Sequence, residues 1–238
     1  MKTPHLLLVD DDPDLAAALV VLTRRGGMEL TRCTDVQSTW DRLHQQSFDL
    51  ILLDINLPGA SGLELLQRMP GDSGLAPARV AVFCQPGLWF DLARAWAAGA
   101  GYWLSKELTT RPKAWQHRVH EILDHASGKT LSSSLGWIGE ILSPVSPTWG
   151  EQLNHLLHRL SLQTLGSEVL REVLLRALRR VNLRPEIVTE LVAPEGCLNL
   201  ALCVRHLSSL QIVNCLRSIE EQLWCLLDAE KRIALGVN

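Results

Sequence analysis

Apolar positions along this chain follow two periodicities, and the switching between them predicts the architecture of the first half. Leu6–Val9, Leu50–Leu53, Arg79–Cys84 and Tyr102–Ser105 are apolar runs too short for helices and read as strands, with Glu29–Cys33 as a less regular fifth. Stripes at helical spacing lie between them: Leu15, Leu19 and Leu22; Val36, Trp40 and Leu43; Leu63, Leu65, Leu66 and Met69; Leu88, Leu92, Ala95 and Trp96. A last helix is predicted from about Arg111 to His125. Local signals agree: Asp12-Pro13-Asp14 opens the first helix and Gly26-Gly27 stops it, Asp35 caps the second, and Pro70-Gly71 and Pro86-Gly87 break the chain where turns are needed. Leu50–Leu53 has no polar alternation, so it is expected to be buried on both faces as a central parallel strand. Strands alternating with helices predict a doubly wound, five-stranded parallel sheet of the α/β class.

Beyond residue 126 the pattern changes. Residues 127–147 read as a linker, from Ser127-Gly128-Lys129-Thr130 through Ser132-Ser133-Ser134 to the break at Ser143–Pro147, with Trp137 and Ile141 expected to dock on one of the domains. From residue 148 onward the spacing is helical throughout. Thr148 is expected to cap a helix carrying Leu153, Leu156, Leu157 and Leu160, and Ser167 the next, with Leu170, Val173, Leu174, Ala177, Leu178 and Val181. Pro185 opens a short helix that Pro194-Glu195-Gly196 ends, Cys197–His206 forms another, and Ser209 is expected to cap a long final helix. The predicted organisation is an α/β domain over 1–126, a linker, and an all-α domain over 148–238.

The strand ends carry the chemistry. The third strand ends in Asp54 followed by Pro58-Gly59 and Ser61-Gly62, and the first delivers Asp10-Asp11-Asp12 to the same edge, where open α/β sheets bind ligands. Several carboxylates in one pocket need a cation, and hard oxygen donors with no His or Cys among them suit Mg2+. The fifth strand ends in Lys106, which can pair with Asp54 at rest and with an added phosphoryl group.

An acid pair, a single acid and a lysine on successive strand ends, with these intervals, resemble the receiver domain of two-component response regulators over roughly residues 4 to 126. The resemblance implies a flavodoxin-like sheet of order 2-1-3-4-5. It implies that Asp54 accepts a phosphoryl group from a sensor histidine kinase or phosphotransfer protein. Mg2+ would be held by Asp11 directly, by Asp10 mainly through water, and by Asp54 and the Asn56 carbonyl. Charge on the phosphoryl oxygens would be offset by Mg2+ and Lys106, so the help is electrostatic positioning. Asp12, one residue past the acid pair, would cap the helix.

Two positions depart from the family pattern. Cys84 stands where a Thr or Ser usually binds the phosphoryl group and pulls its loop inward, and a thiol is a weaker donor. It reads as an inert buried thiol or a redox group. Trp103 stands where a Tyr or Phe commonly acts as a rotamer switch; it can be held inward, held outward, or cover a dimer face. Glu107 replaces the proline that often follows the lysine.

Composition narrows the rest. Net charge is −3 over 238 residues, and pI is about 6.2, so no global basic field draws the chain to nucleic acid. Six cysteines without a C-x-x-C pair read as free thiols in a reducing cytoplasm. No apolar run approaches membrane-spanning length. In the helical half, Asn199-Leu200-Ala201 through Val213 has a weak helix-turn-helix character, and Arg171, Arg176, Arg179, Arg180 and Arg184 form the one basic cluster, either a DNA-phosphate contact or a solvated helix face. His155 and His158 lack the surroundings of a phosphotransfer helix and read as surface or core-edge residues. Two effector readings stand: DNA binding with transcriptional control, or a protein-interaction and dimerisation module. No acid pair, metal cluster or nucleophile triad in this half points to an enzyme. Mean hydropathy of +0.08 and tryptophans at 89, 96, 103 and 115 predict a homodimer built on exposed apolar surface.

Overall fold

The structure is a computed structural model that describes residues 3–71, 79–127 and, between 153 and 227, all but 155, 156, 159, 162–164 and 182. The chain divides into two compact units, Met1–Lys129 and Thr130–Asn238.

In the first unit, β1 (His5–Val9), β2 (Glu29–Cys33), β3 (Leu50–Leu53), β4 (Val80–Cys84) and β5 (Tyr102–Ser105) form one sheet in the order 2-1-3-4-5. All four pairings are parallel, with Leu6 opposite both Leu30 and Leu50, Leu53 opposite Val82, and Cys84 opposite Ser105. Residues of β1, β3 and β4 are closed off on both faces, which is why their sequences run apolar without alternation. The helices are α1 (Pro13–Arg25), α2 (Val36–Gln45), α3 (Gly62–Arg68), α4 (Trp89–Ala97) and α5 (Pro112–Ala126). α1 packs on α5, while α2, α3 and α4 pack in succession, so the sheet is covered on two sides.

Capping residues set the helix starts. Asp12 accepts from the Asp14 and Leu15 amides at 2.9 and 3.1 Å, Asp35 from the Ser38 amide at 2.8 Å, and Ser61 from the Leu63 amide at 3.2 Å. The Ser38 bonds hold the Asp35 carboxyl below the ordinary carboxylate range. Sequence pattern missed a hairpin beside the site: Asn56–Leu57 and Ala60–Ser61 pair as two-residue antiparallel strands around Gly59, whose φ of 77° only glycine adopts readily.

Regular structure among the described residues of the second unit is helical apart from an isolated bridge between Val192 and Leu198. They include α6 (Ser167–Arg179), α7 (Pro185–Leu191), α8 (Leu200–His206) and α9 (Ser209–Leu226). α6 packs on α9, and the buried Gln222 amide ties them by donating to the Val173 carbonyl at 3.2 Å. Asn154 clasps the bridge, donating to the Leu198 carbonyl at 3.0 Å and accepting from its amide at 2.9 Å.

Three boundaries differ from expectation. Gly166, not Ser167, precedes α6, and the Ser167 hydroxyl donates to Glu168 instead. α8 starts at Leu200, capped by Asn199, because Cys197 and Leu198 are drawn into the bridge turn. Ser208, not Ser209, caps α9, in a capping box with Gln211. Thr148, Trp137, Ile141, His155 and the linker beyond Ser127 lie outside the described residues; His158 is exposed.

Candidate functional site

The carboxyl edge of the sheet gathers the charged strand ends. β1 runs into Asp10, fully buried, and Asp11, exposed; β3 runs into Asp54, 7% exposed. Each of these three acids offers an oxygen, and the three oxygens lie within 4.8 Å of one another. From the end of β5, the Lys106 ammonium reaches Asp54 Oδ2 at 2.6 Å and Asp10 Oδ2 at 2.8 Å. The remaining oxygens face main chain: Asp10 Oδ1 accepts from the Asp12 amide and Asp54 Oδ1 from the Asn56 amide, each at 3.0 Å. Asn56 is exposed on the hairpin that this bond anchors to the site.

Burial pushes the Asp10 carboxyl above the usual carboxylate range, against the Lys106 ammonium and the Asp12 amide, which pull it down. For Lys106, burial works downward, but the two carboxylates together hold it above the usual lysine range. Three carboxylates against one ammonium leave the pocket short of positive charge. An all-oxygen donor set without His or Cys is the chemistry of a hard divalent cation.

Two residues of the site carried no chemical signal in the sequence. Gly62, read only as a turn residue, opens α3 against the end of β3, and a Cβ there would fall on the Asp54 carbonyl. Arg32, on β2, donates through its guanidinium to the Asp10 and Asp11 carbonyls at 3.1 and 2.7 Å.

Comparison with known proteins gives the same assignment. The family model described as the response regulator receiver domain matches residues 6–113. Residues 6–113 are a response regulator receiver domain. Related proteins include the transcriptional activator PfeR of Pseudomonas aeruginosa, 44% identical over 69 residues, which is 29% of this chain and 23% of PfeR. The DNA-binding response regulator MtrA of Mycolicibacterium smegmatis is 34% identical over 71 residues, 30% of this chain and 31% of MtrA. The phosphate regulon regulatory protein PhoB of Escherichia coli is 24% identical over 142 residues, 60% of this chain and 61% of PhoB. Alignments to these three thus span between about a quarter and three-fifths of the relatives' length. A solved receiver domain, that of the trimethylamine-oxide respiratory regulator TorR, is 26% identical, covering 52% of this chain and 98% of its own, with a TM-score of 0.45. The fold itself rests on the sheet order and register above.

Within the receiver, Cys84 at the end of β4 is 1% exposed, and burial pushes its thiol up to about 12, against the neighbouring Trp103 indole, which draws it down. A neutral, enclosed thiol is the inert alternative of the two readings. Trp103 is held inward, 2% exposed, edge-to-face on Trp89 with ring centroids 5.5 Å apart. Trp96 and Trp115 are also buried within the receiver, and Trp89 is half-buried. The tryptophans therefore do not supply the exposed apolar face expected of them; Leu88 and Phe90 beside them do, 36% and 66% exposed.

In the helical unit the arginine cluster divides. Arg180 donates to Glu221 at 2.9 Å and Ser218 at 3.1 Å on α9. Arg176 is half-buried, and burial followed by repulsion from Arg180 lowers its pKa. Arg179 and Arg184 are exposed. The segment with helix-turn-helix character forms α8 and α9, joined through Leu207 and Ser208.

Proposed function

We propose that this chain is a two-component response regulator whose Asp54 accepts a phosphoryl group from the phosphohistidine of a sensor histidine kinase or a phosphotransfer protein. The observation that carries the reading is Asp54 at the end of the central strand, 2.6 Å from Lys106 and grouped with Asp10 and Asp11. In the transfer an Asp54 oxygen forms the new P–O bond as the donor's P–N bond breaks, and the leaving imidazole takes up a proton. Asp10, Asp11, Asp54 and the Asn56 carbonyl would hold Mg2+, which when bound supplies charge against the phosphoryl oxygens. Lys106 is placed to follow the charge from the carboxylate to the phosphoryl group. The chain is a phospho-acceptor, and its only catalysis would be self-phosphorylation from small donors and autodephosphorylation. Small phosphodonors with Mg2+ should add mass to the wild type, and Asp54→Asn should abolish that labelling. Full labelling of the Asn variant refutes the assignment.

For the helical unit we propose transcriptional control by DNA binding, supported by the names of PfeR, MtrA and PhoB. A second reading, a protein-contact or dimerisation module, is favoured by the engagement of Arg180 with Glu221. A gel shift across salt concentrations separates them. Phosphate contacts make affinity fall steeply with salt, whereas no shift even at low salt leaves the second reading. A homodimer would rest on Leu88 and Phe90 of the receiver, and light scattering with and without a phosphoryl analogue tests it. Six free cysteines suit the cytoplasm, and no helix among the described residues is long and apolar enough to cross a membrane.

A further inference from the structure

Arg32 bonds to neither carboxylate of the acid pair. Its Nε donates to the Asp10 carbonyl at 3.1 Å and its Nη2 to the Asp11 carbonyl at 2.7 Å. β2 is an edge strand, and its main-chain pairing with β1 runs out at the bond from the Asp10 amide to the Cys33 carbonyl, 3.0 Å. The guanidinium prolongs the ladder past that point, offering two side-chain donors to the next two carbonyls of the β1 segment. Asp10 keeps its carboxylate for Lys106 and the Asp12 amide, and Asp11 leaves its own exposed. We propose that Arg32 is a positioning residue for cation binding: its planar fork fixes the main chain of Asp10 and Asp11 so that both carboxylates present to one ion. The inference rests on the proposed reading of the acid cluster as a Mg2+ site.

Charge and geometry act in opposite directions here, and this makes the role separable. A guanidinium near the site repels a cation, so losing the charge alone would tighten Mg2+ binding. Losing the fork frees the acid-bearing segment and weakens binding. Added salt suppresses the first effect, since at about 0.5 M the screening length falls to roughly 4 Å. A lysine keeps the charge without the two-pronged donor geometry. A purely structural staple would lower the melting temperature and leave the Mg2+ affinity of the folded protein unchanged.

The test is calorimetric titration of the full chain with Mg2+ in high salt, for wild type, Arg32→Ala and Arg32→Lys. Arg32→Ala is expected to weaken Mg2+ binding about tenfold, the low end of what losing an orienting contact behind a metal ligand costs. Arg32→Lys should recover part of that loss. A wild type that binds Mg2+ together with an Arg32→Ala variant that binds it as tightly or more tightly overturns the role of Arg32. A wild type that takes up no Mg2+ overturns the reading of the acid cluster, and the proposal with it. Should Arg32→Ala fail to fold, Arg32→Gln, which keeps an amide donor but no fork, carries the same comparison, and unchanged affinity is again the refuting result.

Discussion

Removing the Lys106 ammonium while keeping its stem, as in Lys106→Met, isolates what holds the acid cluster together. The substitution takes away a partner 2.6 Å from Asp54 and 2.8 Å from Asp10, whose side chains are 10% and 0% exposed. Breaking a buried pair from one side costs about 3–5 kcal/mol, because the surviving charge is left without compensation. Proton uptake limits that cost. Relative to an ordinary carboxyl near 3.9, neutralising one acid costs about 1.4 kcal/mol per pH step, hence about 4 kcal/mol at pH 7 and about 1.5 kcal/mol at pH 5. Asp10 already sits above the usual range in the intact protein, so part of the cost is present there, and about 2–4 kcal/mol of lost stability is expected at pH 7. The sign follows from linkage. A carboxyl raised in the folded state stabilises below its unfolded pKa and loses that contribution as pH rises through the folded value. Without Lys106 that loss grows and extends to higher pH. Lys106 itself, raised above the ordinary 10.5, keeps its charge across this window. Urea unfolding followed by tryptophan fluorescence at pH 5 and pH 8 measures the difference, and Mg2+ should shrink the deficit at the higher pH. An equal deficit at both values would falsify the idea that uncompensated carboxylates carry the cost.

Gly62→Ala should cost about 1–3 kcal/mol, since the added methyl displaces the Asp54 main chain. It should also slow labelling by small phosphodonors; wild-type stability and labelling together would remove Gly62 from the site. Cys84, with its thiol at about 12, should resist iodoacetamide at pH 8 until the protein is unfolded, and rapid native-state alkylation detected by mass spectrometry would contradict its burial. Cys84→Thr restores a hydroxyl donor and should enlarge the phosphorylation-induced change in Trp103 fluorescence; a response no greater than wild type would show that Cys84 does not limit the readout.

Strands, helices and acids were legible because their signals are local. An unbroken apolar run, a proline after an aspartate and a glycine pair each act within a few residues, and parallel pairing then carries Asp10, Asp54 and Lys106 to one edge whatever lies between. Arg32 was not legible for the opposite reason. It acts through its guanidinium on carbonyls 21 and 22 residues away in sequence, and backbone acceptors have no sequence identity to read. Gly62 looks like any turn glycine until the Asp54 carbonyl is placed over it. The start of α9 could have been read more closely, because Gln211 lies three residues after Ser208, the spacing of a capping box, whereas Ile212 holds that place relative to Ser209. The tryptophans misled because their number suggested surface, whereas strand and helix register had already placed Trp96 and Trp103 on inward stripes.

The two departures from the family pattern are joined in the structure. Cys84 and Trp103 lie on neighbouring strands, β4 and β5, with the indole beside the thiol and Trp103 packed edge-on against Trp89. An inward aromatic at this place is therefore held by packing that does not depend on phosphorylation. An aromatic pair of this kind contributes about 0.5–1.5 kcal/mol beyond its burial, and outward rotation would give that up. It would also bring a side chain that is 2% exposed into water. A hydroxyl at position 84 would bind the phosphoryl group and draw its loop inward, whereas a thiol is a weak donor. Restoring the hydroxyl alone leaves Trp103 packed, because the contact with Trp89 remains. Any switching through this edge of the receiver has to overcome the packing of Trp103 as well as the chemistry of Cys84.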